Sequence, residues 1–164
     1  MLRETFSNPV PTVLVENLPT LLKAKLYLTK QNQIFVLGDN NLYVLGDSLN
    51  LIAQFVREVD IDNDDRKVMY ATGNEIDIYD LVTGSSSLLT RTSAELKEPQ
   101  AFYNLGWVFY IGNGRMQNIE IDSRDHQNNY TFTNVSENSS YYATSDAKNL
   151  ILLNDGKLTE INIR

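Results

Sequence analysis

The chain has no cysteine, one histidine and one tryptophan in 164 residues. Without thiols there are no disulfides, no thiolate metal sites and no cysteine nucleophile. A lone histidine, His126 in the polar stretch SRDHQNN, gives no second imidazole for a transition-metal site and reads as solvated. Of four prolines only Pro99 lies beyond residue 19. Bases are few, with 14 Lys and Arg against 21 Asp and Glu, a formal net charge of −7. Phosphate binding needs clustered Lys and Arg, so nucleic acid is an unsuited partner. No apolar run approaches the ~18 residues of a spanning helix. The opening MLRETFSNPVP carries Glu4 and no apolar stretch of signal-peptide length, so no export signal is expected here. With 42% hydrophobic and 21% charged residues the composition is that of a folded domain.

One pattern is present four times. An apolar run ends in a Gly/Asn/Asp turn and alternating apolar residues come next, as IFVLGDNNLYVL, VMYATGNEIDIY, VFYIGNGRMQNI and LILLNDGKLTEI. Each reads as a β-hairpin whose turn residues tolerate positive φ. The first apolar residues after the turns are Leu42, Ile76, Met116 and Leu158, spaced by 34, 40 and 42 residues. A β unit repeated at about 40 residues predicts an all-β, β-propeller-type array of four antiparallel sheet units. A two-sheet sandwich is the alternative that regular strand spacing also permits.

Residues 1–11 read as a polar lead-in arm. A single domain occupies 12–164, in repeats of about 12–49, 50–86, 87–127 and 128–164. Each repeat is an outer strand, an inner strand and a hairpin: TVLVE, KLYLTK and hairpin, then LIAQFV and EVDID, SLLTRT and AFYN, YTFTN and YYATS. In this phase the last hairpin lacks its own outer strand and 12–16 lacks a sheet. Pairing 12–16 with 157–163 would close a four-bladed ring and remove exposed edges. An open arc, belonging to a larger propeller, is the competing expectation. SAELKEP, limited by Pro99, predicts a turn rather than a helix.

Candidate chemistry is sparse. The carboxylates Asp60, Asp62 and Asp64 alternate in DIDNDD, a spacing that can converge on Ca²⁺. The Gly and Glu that an EF-hand loop needs are replaced by Asp65 and Ala71, so a solvated turn is the plainer reading. Gly112-Asn113-Gly114 lacks a third glycine and a succeeding helix, and reads as a turn. No pair of acids stands out for glycoside hydrolysis. A ligand surface is expected where the hairpin turns meet the linkers between blades. The turns supply Asp39, Asn40, Asn74, Asn113 and Asp155, and the linkers supply Arg57, Glu58, Arg91 and Lys97. Turn chemistry accounts for the Asn and Asp residues but not for Arg57 and Arg91, which carry most of the expectation. The mixed charge suits a protein or glycan partner; no cofactor is implied.

The runs TGNEIDIYDLVTGSSSLLTRTS, 72–93, and NIEIDSRDHQNNYTF, 118–132, resemble blades of TolB-like propellers. The likeness is to the propeller that comes after a PEGA domain in membrane-anchored surface proteins of small-genome bacteria. It is specific over 67–132; Ser123 stands where the family has Gly, and the family's "PDGK" turn is degenerate. The resemblance implies the C-terminal blades of a longer propeller, a non-enzymatic extracytoplasmic scaffold that binds a partner at a cell surface. It carries over no catalytic residue. The alternative is a carbohydrate-binding or carbohydrate-active propeller.

Overall fold

The computed structural model describes residues 20–61, 66–103, 105–122, 126–144 and 148–163. It is all-β, with four antiparallel sheets and no helix among the described residues. The first sheet holds β1 (Ala24–Leu28), β2 (Ile34–Gly38), β3 (Asn41–Leu45) and β4 (Leu49–Gln54) in sequence order. The second repeats this with β5 (Glu58–Ile61), β6 (Lys67–Ala71), β7 (Glu75–Asp80) and β8 (Ser85–Arg91). The third is β9 (Lys97–Phe102), β10 (Trp107–Gly112), β11 (Arg115–Glu120) and β12 (Asn129–Asn134). The fourth has three strands, β13 (Ser140–Ala143), β14 (Asn149–Asn154) and β15 (Lys157–Asn162). The outer strand opening each of the last three repeats therefore joins the sheet before it. The strand expected at 12–16 lies outside the described residues.

Three of the four hairpins turn through two residues with positive φ: Asp39-Asn40 (51° and 63°), Asn113-Gly114 (53° and 68°) and Asp155-Gly156 (50° and 73°). This left-handed pair matches the twist of the flanking strands. The second hairpin departs from expectation. Three residues, Thr72 to Asn74, separate β6 from β7, and none has positive φ. Thr72 N–H donates to the Glu75 carbonyl and closes the turn around Gly73 and Asn74, so the hairpin keeps the length of the other three with a different backbone conformation.

The first apolar residue after each turn also marks a break in register. The pairings of β3 with β4, β7 with β8 and β11 with β12 shift just after Leu42, Ile76 and Met116. Such bulges bend a strand and increase its twist, which a stack of splayed sheets requires.

The core lies between sheets. Phe35, Leu37 and Leu42 pack on Val68 and Tyr70 between the first and second sheets. Met69, Ile76 and Ile78 meet Val108, Tyr110 and Ile119 between the second and third. Phe109, Ile111 and Met116 meet Ala143 and Leu150 between the third and fourth. No cluster among the described residues joins the fourth sheet to the first. Among the described residues the array is an open arc rather than a closed four-bladed ring. The reason shows at the repeated position: Leu42, Ile76 and Met116 are fully buried by the next sheet, whereas Leu158 is 73% exposed.

Equivalent side chains are thus buried only where another sheet covers them. Ile76→Ala or Met116→Ala is expected to cost about 2–5 kcal/mol, the range for a buried side chain truncated to Ala. Leu158→Ala, at the fourth copy of the same position, should change stability by less than about 0.5 kcal/mol. Urea unfolding of the three variants measures the contrast.

Candidate functional site

The turns and linkers expected to form a ligand surface do lie together, and they hold one another. The Asp39 carboxylate accepts from the N–H groups of Leu22 and Lys23, both at 3.1 Å. Asn113 Oδ1 accepts from Ala94 N–H and Ser93 Oγ–H, both at 3.1 Å. Asn154, beside the last turn, accepts from Ser136 N–H at 2.9 Å and Ser139 Oγ–H at 2.7 Å. Asn74 Nδ2 donates to the Thr92 carbonyl at 3.4 Å. Three sheets thus tie the hairpin turn to the linker ahead of their own first strand. Asp155 is exposed at its turn, and Asn40 offers its carbonyl to Val56 N–H at 2.8 Å.

The arginines are engaged as well. Arg57 pairs with Glu95 in the next linker, and Arg91 Nη2 lies 2.5 Å from Glu75 Oε1 across the β7–β8 ladder. Glu58 and Lys97 open strands β5 and β9 rather than standing in loops, and Lys97 Nζ donates to the Glu137 carbonyl at 2.6 Å.

Asp60 also departs from its sequence reading. It lies within β5, not in a solvated turn, and its Oδ2 accepts Ala101 N–H from the next sheet at 2.9 Å. Asp62 and Asp64 lie outside the described residues. No group of three or more His, Cys, Asp or Glu gathers among the described residues. His126 is exposed in the linker before β12.

Asp60 belongs to a device the sequence did not reveal. Glu98 on β9 acts in the same way at the next joint, its Oε2 accepting Tyr141 N–H at 3.1 Å. Tyrosines run the other way. Tyr103 Oη accepts Met69 N–H at 2.7 Å and donates to the Asp60 carbonyl at 3.2 Å. Tyr141 Oη lies 2.6 Å from the Glu98 carbonyl and 2.9 Å from that of Phe109. Burial, with Glu98 and Asp60 nearby, pushes the Tyr141 phenol well above its ordinary range, so it stays a proton donor.

A cleft of about 670 Å³ opens between the third and fourth sheets, outside β15. Trp107, Tyr130 and Phe132 form its aromatic wall, with Lys148 and Asn162 facing them. Trp107 and Tyr130 stand 5.6 Å apart, tilted by 54°. Asn118, only 5% exposed, also lines the cleft, and its Oδ1 is buried with no hydrogen-bond partner. An unmet buried acceptor in an aromatic cleft is a place for a donor from outside. Sequence reasoning passed over these residues. The available signal was parity, because Asn118 stands two places after Met116 in β11 and so shares its inward face.

Glu75 and Asp77 share a face of β7. Burial, and then the neighbouring Glu75, push the Asp77 carboxyl up to about 6, against a smaller lowering by Arg91.

No family model matches the chain, and no curated protein matches it. Solved structures do, and they define a propeller-type fold. A chain of a mitotic checkpoint complex superposes with a TM-score of 0.65 at 15% identity, over 95% of this chain and 57% of that one. A putative 6-phosphogluconolactonase from Bacteroides fragilis gives 0.56 at 10% identity, over 85% and 54%. An auxiliary nutrient binding protein from Bacteroides thetaiotaomicron gives 0.53 at 10% identity, over 86% and 47%. The chain spans about half the length of these structures.

Asp77 binds its proton more tightly in the folded chain than in the unfolded one. Its protonation therefore favours folding at low pH, and that advantage is lost as pH rises from 3.8 through about 6. Asp77→Asn is expected to raise the melting temperature at pH 7 relative to wild type and to flatten the pH profile. Arg91→Ala should move the loss to higher pH. Both are read from thermal unfolding between about pH 4 and pH 8, a span that brackets the shifted carboxyl. Replacing Arg57 and Arg91 together by Ala should cost no more than about 1 kcal/mol per exposed pair in urea unfolding. A larger loss would make these arginines pillars of the fold.

Proposed function

We propose that the chain is a non-enzymatic binding and scaffolding module whose partner is a protein, displayed at a bacterial cell surface. The observation that carries the partner class is the uncovered outer edge of β15. In the first three sheets the third strand is flanked by a fourth; β15 has no such neighbour among the described residues, and all but its Ile161 is exposed. An unpaired edge accepts an extended segment by main-chain hydrogen bonds, and an adjoining pocket takes alternate side chains. The Trp107–Tyr130 cleft with the unmet Asn118 oxygen is that pocket. The acids elsewhere have structural work: Asp60 and Glu98 join sheets, and Glu75 and Glu95 pair with arginines. That supports binding over catalysis. The cell-surface setting rests on the resemblance to TolB-like, PEGA-associated propellers.

A carbohydrate ligand is the second reading. Tilted aromatic rings beside the Asn118 and Asn162 amides are a surface on which a sugar can stack and hydrogen-bond.

Peptide display against the chain, with amide hydrogen exchange on the complex, tests the choice. A bound extended peptide should protect the β15 amides, and Trp107→Ala should weaken it about tenfold, a loss of ~1.4 kcal/mol. Glycan-array binding lost in the same variant, with β15 unprotected, would favour the sugar. Turnover of a polysaccharide that Asp77→Asn abolishes would sink the scaffold reading.

A further inference from the structure

Among the described residues, the first and fourth sheets each have one face that no other sheet covers, and the two faces are of opposite kinds. In the fourth sheet Leu153 pairs with Leu158, as Leu37 pairs with Leu42, Ala71 with Ile76 and Ile111 with Met116. In the first three sheets this row packs against the succeeding sheet and is buried; in the fourth, Leu153 is 43% and Leu158 73% exposed. Tyr142 stands exposed on the same face, opposite Ile151.

The first sheet is the counterpart. Val36 pairs with Leu26 as Tyr70 pairs with Val59, and Ile34 pairs with Leu28 as Val68 pairs with Ile61. Val59, Ile61, Val68 and Tyr70 form the face by which the second sheet receives the first. Leu26 and Leu28 hold the places of Val59 and Ile61 but stand exposed, at 73% for Leu26, while Val36 beside them on the central strand is buried. The fourth sheet thus ends in a face built to cover a next sheet, and the first begins with a face built to receive one.

We propose that two copies of this chain stack head to tail, the fourth sheet of each on the first sheet of the other. Three joints inside the chain already show the packing of such a contact. The chain matches 57% and 54% of the length of two solved chains of propeller-type fold, so it accounts for about half of each. Two copies give eight sheets, inside the range of about 4–8 blades for closed propellers. A head-to-tail contact closes when its rotation returns to the start, and here the two joints are identical. Closure covers these exposed leucines, an apolar surface of the kind that marks an interaction site. Stacking covers sheet faces and leaves the outer edge of β15 without a neighbour among the described residues, so this inference is independent of the partner assigned to the cleft.

Sedimentation velocity on the 164-residue chain should give twice the 18.7 kDa of one copy. A monomer at micromolar concentration overturns the proposal and leaves the faces to blades of another chain; a ladder of higher species overturns closure. Leu26→Asp and Leu158→Asp should each yield monomers with unchanged circular dichroism. Mixed together they should recover a complex with one copy of each, because one joint is then wild type on both sides. A dimer of like faces would survive one of these substitutions alone, and its survival overturns the head-to-tail arrangement. As a check that needs no variant, diluting the wild type should release amide protection in β1 and β15 together. Protection that does not change with dilution overturns the proposal.

Discussion

Stacking of one sheet on the next is the interaction on which everything else in this molecule depends. No sheet has a core of its own. Leu42, Ile76 and Met116 are buried because another sheet lies on them, and Leu158 shows the same residue position without that cover. Stability is then approximately a sum over neighbouring pairs rather than a property of one centre. The turns, bulges and ion pairs set the angle at which each sheet meets the next.

The inner strands carry a second layer of order. The first strand of a sheet has only one ladder partner, so its other edge presents unpaired N–H groups. Asp60 and Glu98 answer this from the preceding sheet by accepting Ala101 and Tyr141 N–H. Tyr103 and Tyr141 return hydrogen bonds to the preceding strand. Around the turns, Asp39, Asn113 and Asn154 bind linker groups. Several polar residues expected at a ligand surface also hold the turn of a sheet to its own linker, and the aromatic cleft lies elsewhere, between the third and fourth sheets.

Repeat, strand order and hairpins were legible in the sequence because turn chemistry and alternation are local. The spacing of Leu42, Ile76, Met116 and Leu158 located the four hairpins, and the outer strands joined the sheets that precede them. What escaped was non-local. Four identical hairpin patterns cannot say that the fourth lacks a cover, since that depends on whether a further sheet lies beyond it. The role of Asp60 was misjudged for a related reason. In DIDNDD it reads as one acid among several, and only the N–H of Ala101, 41 positions away, fixes what it does. The second turn has the same length as its siblings, since Ala71 pairs with Ile76 as Leu37 pairs with Leu42, yet Gly73 and Asn74 take no positive φ, and their residue types do not announce that difference. The Trp107–Tyr130–Asn118 cleft joins side chains of three strands, with Asn118 directly opposite Tyr130, and that pairing depends on a register set beyond the bulge at Met116 rather than on spacing within any one strand.

The open arc also has a mechanical consequence. A closed ring fixes the sum of its inter-sheet angles, and a change at one joint must be undone at another. Within one copy three joints act in series, and no such constraint holds until the ring is completed by further sheets. Small rotations at each add along the chain, as the ribs of a fan add to its spread. The inner edges that carry Asp60 and Glu98 form the pivot, and the outer strands travel farthest. Side-chain choice at these two joints therefore sets how wide the fan stands, and a ligand wedged at the rim has the longest lever with which to change it.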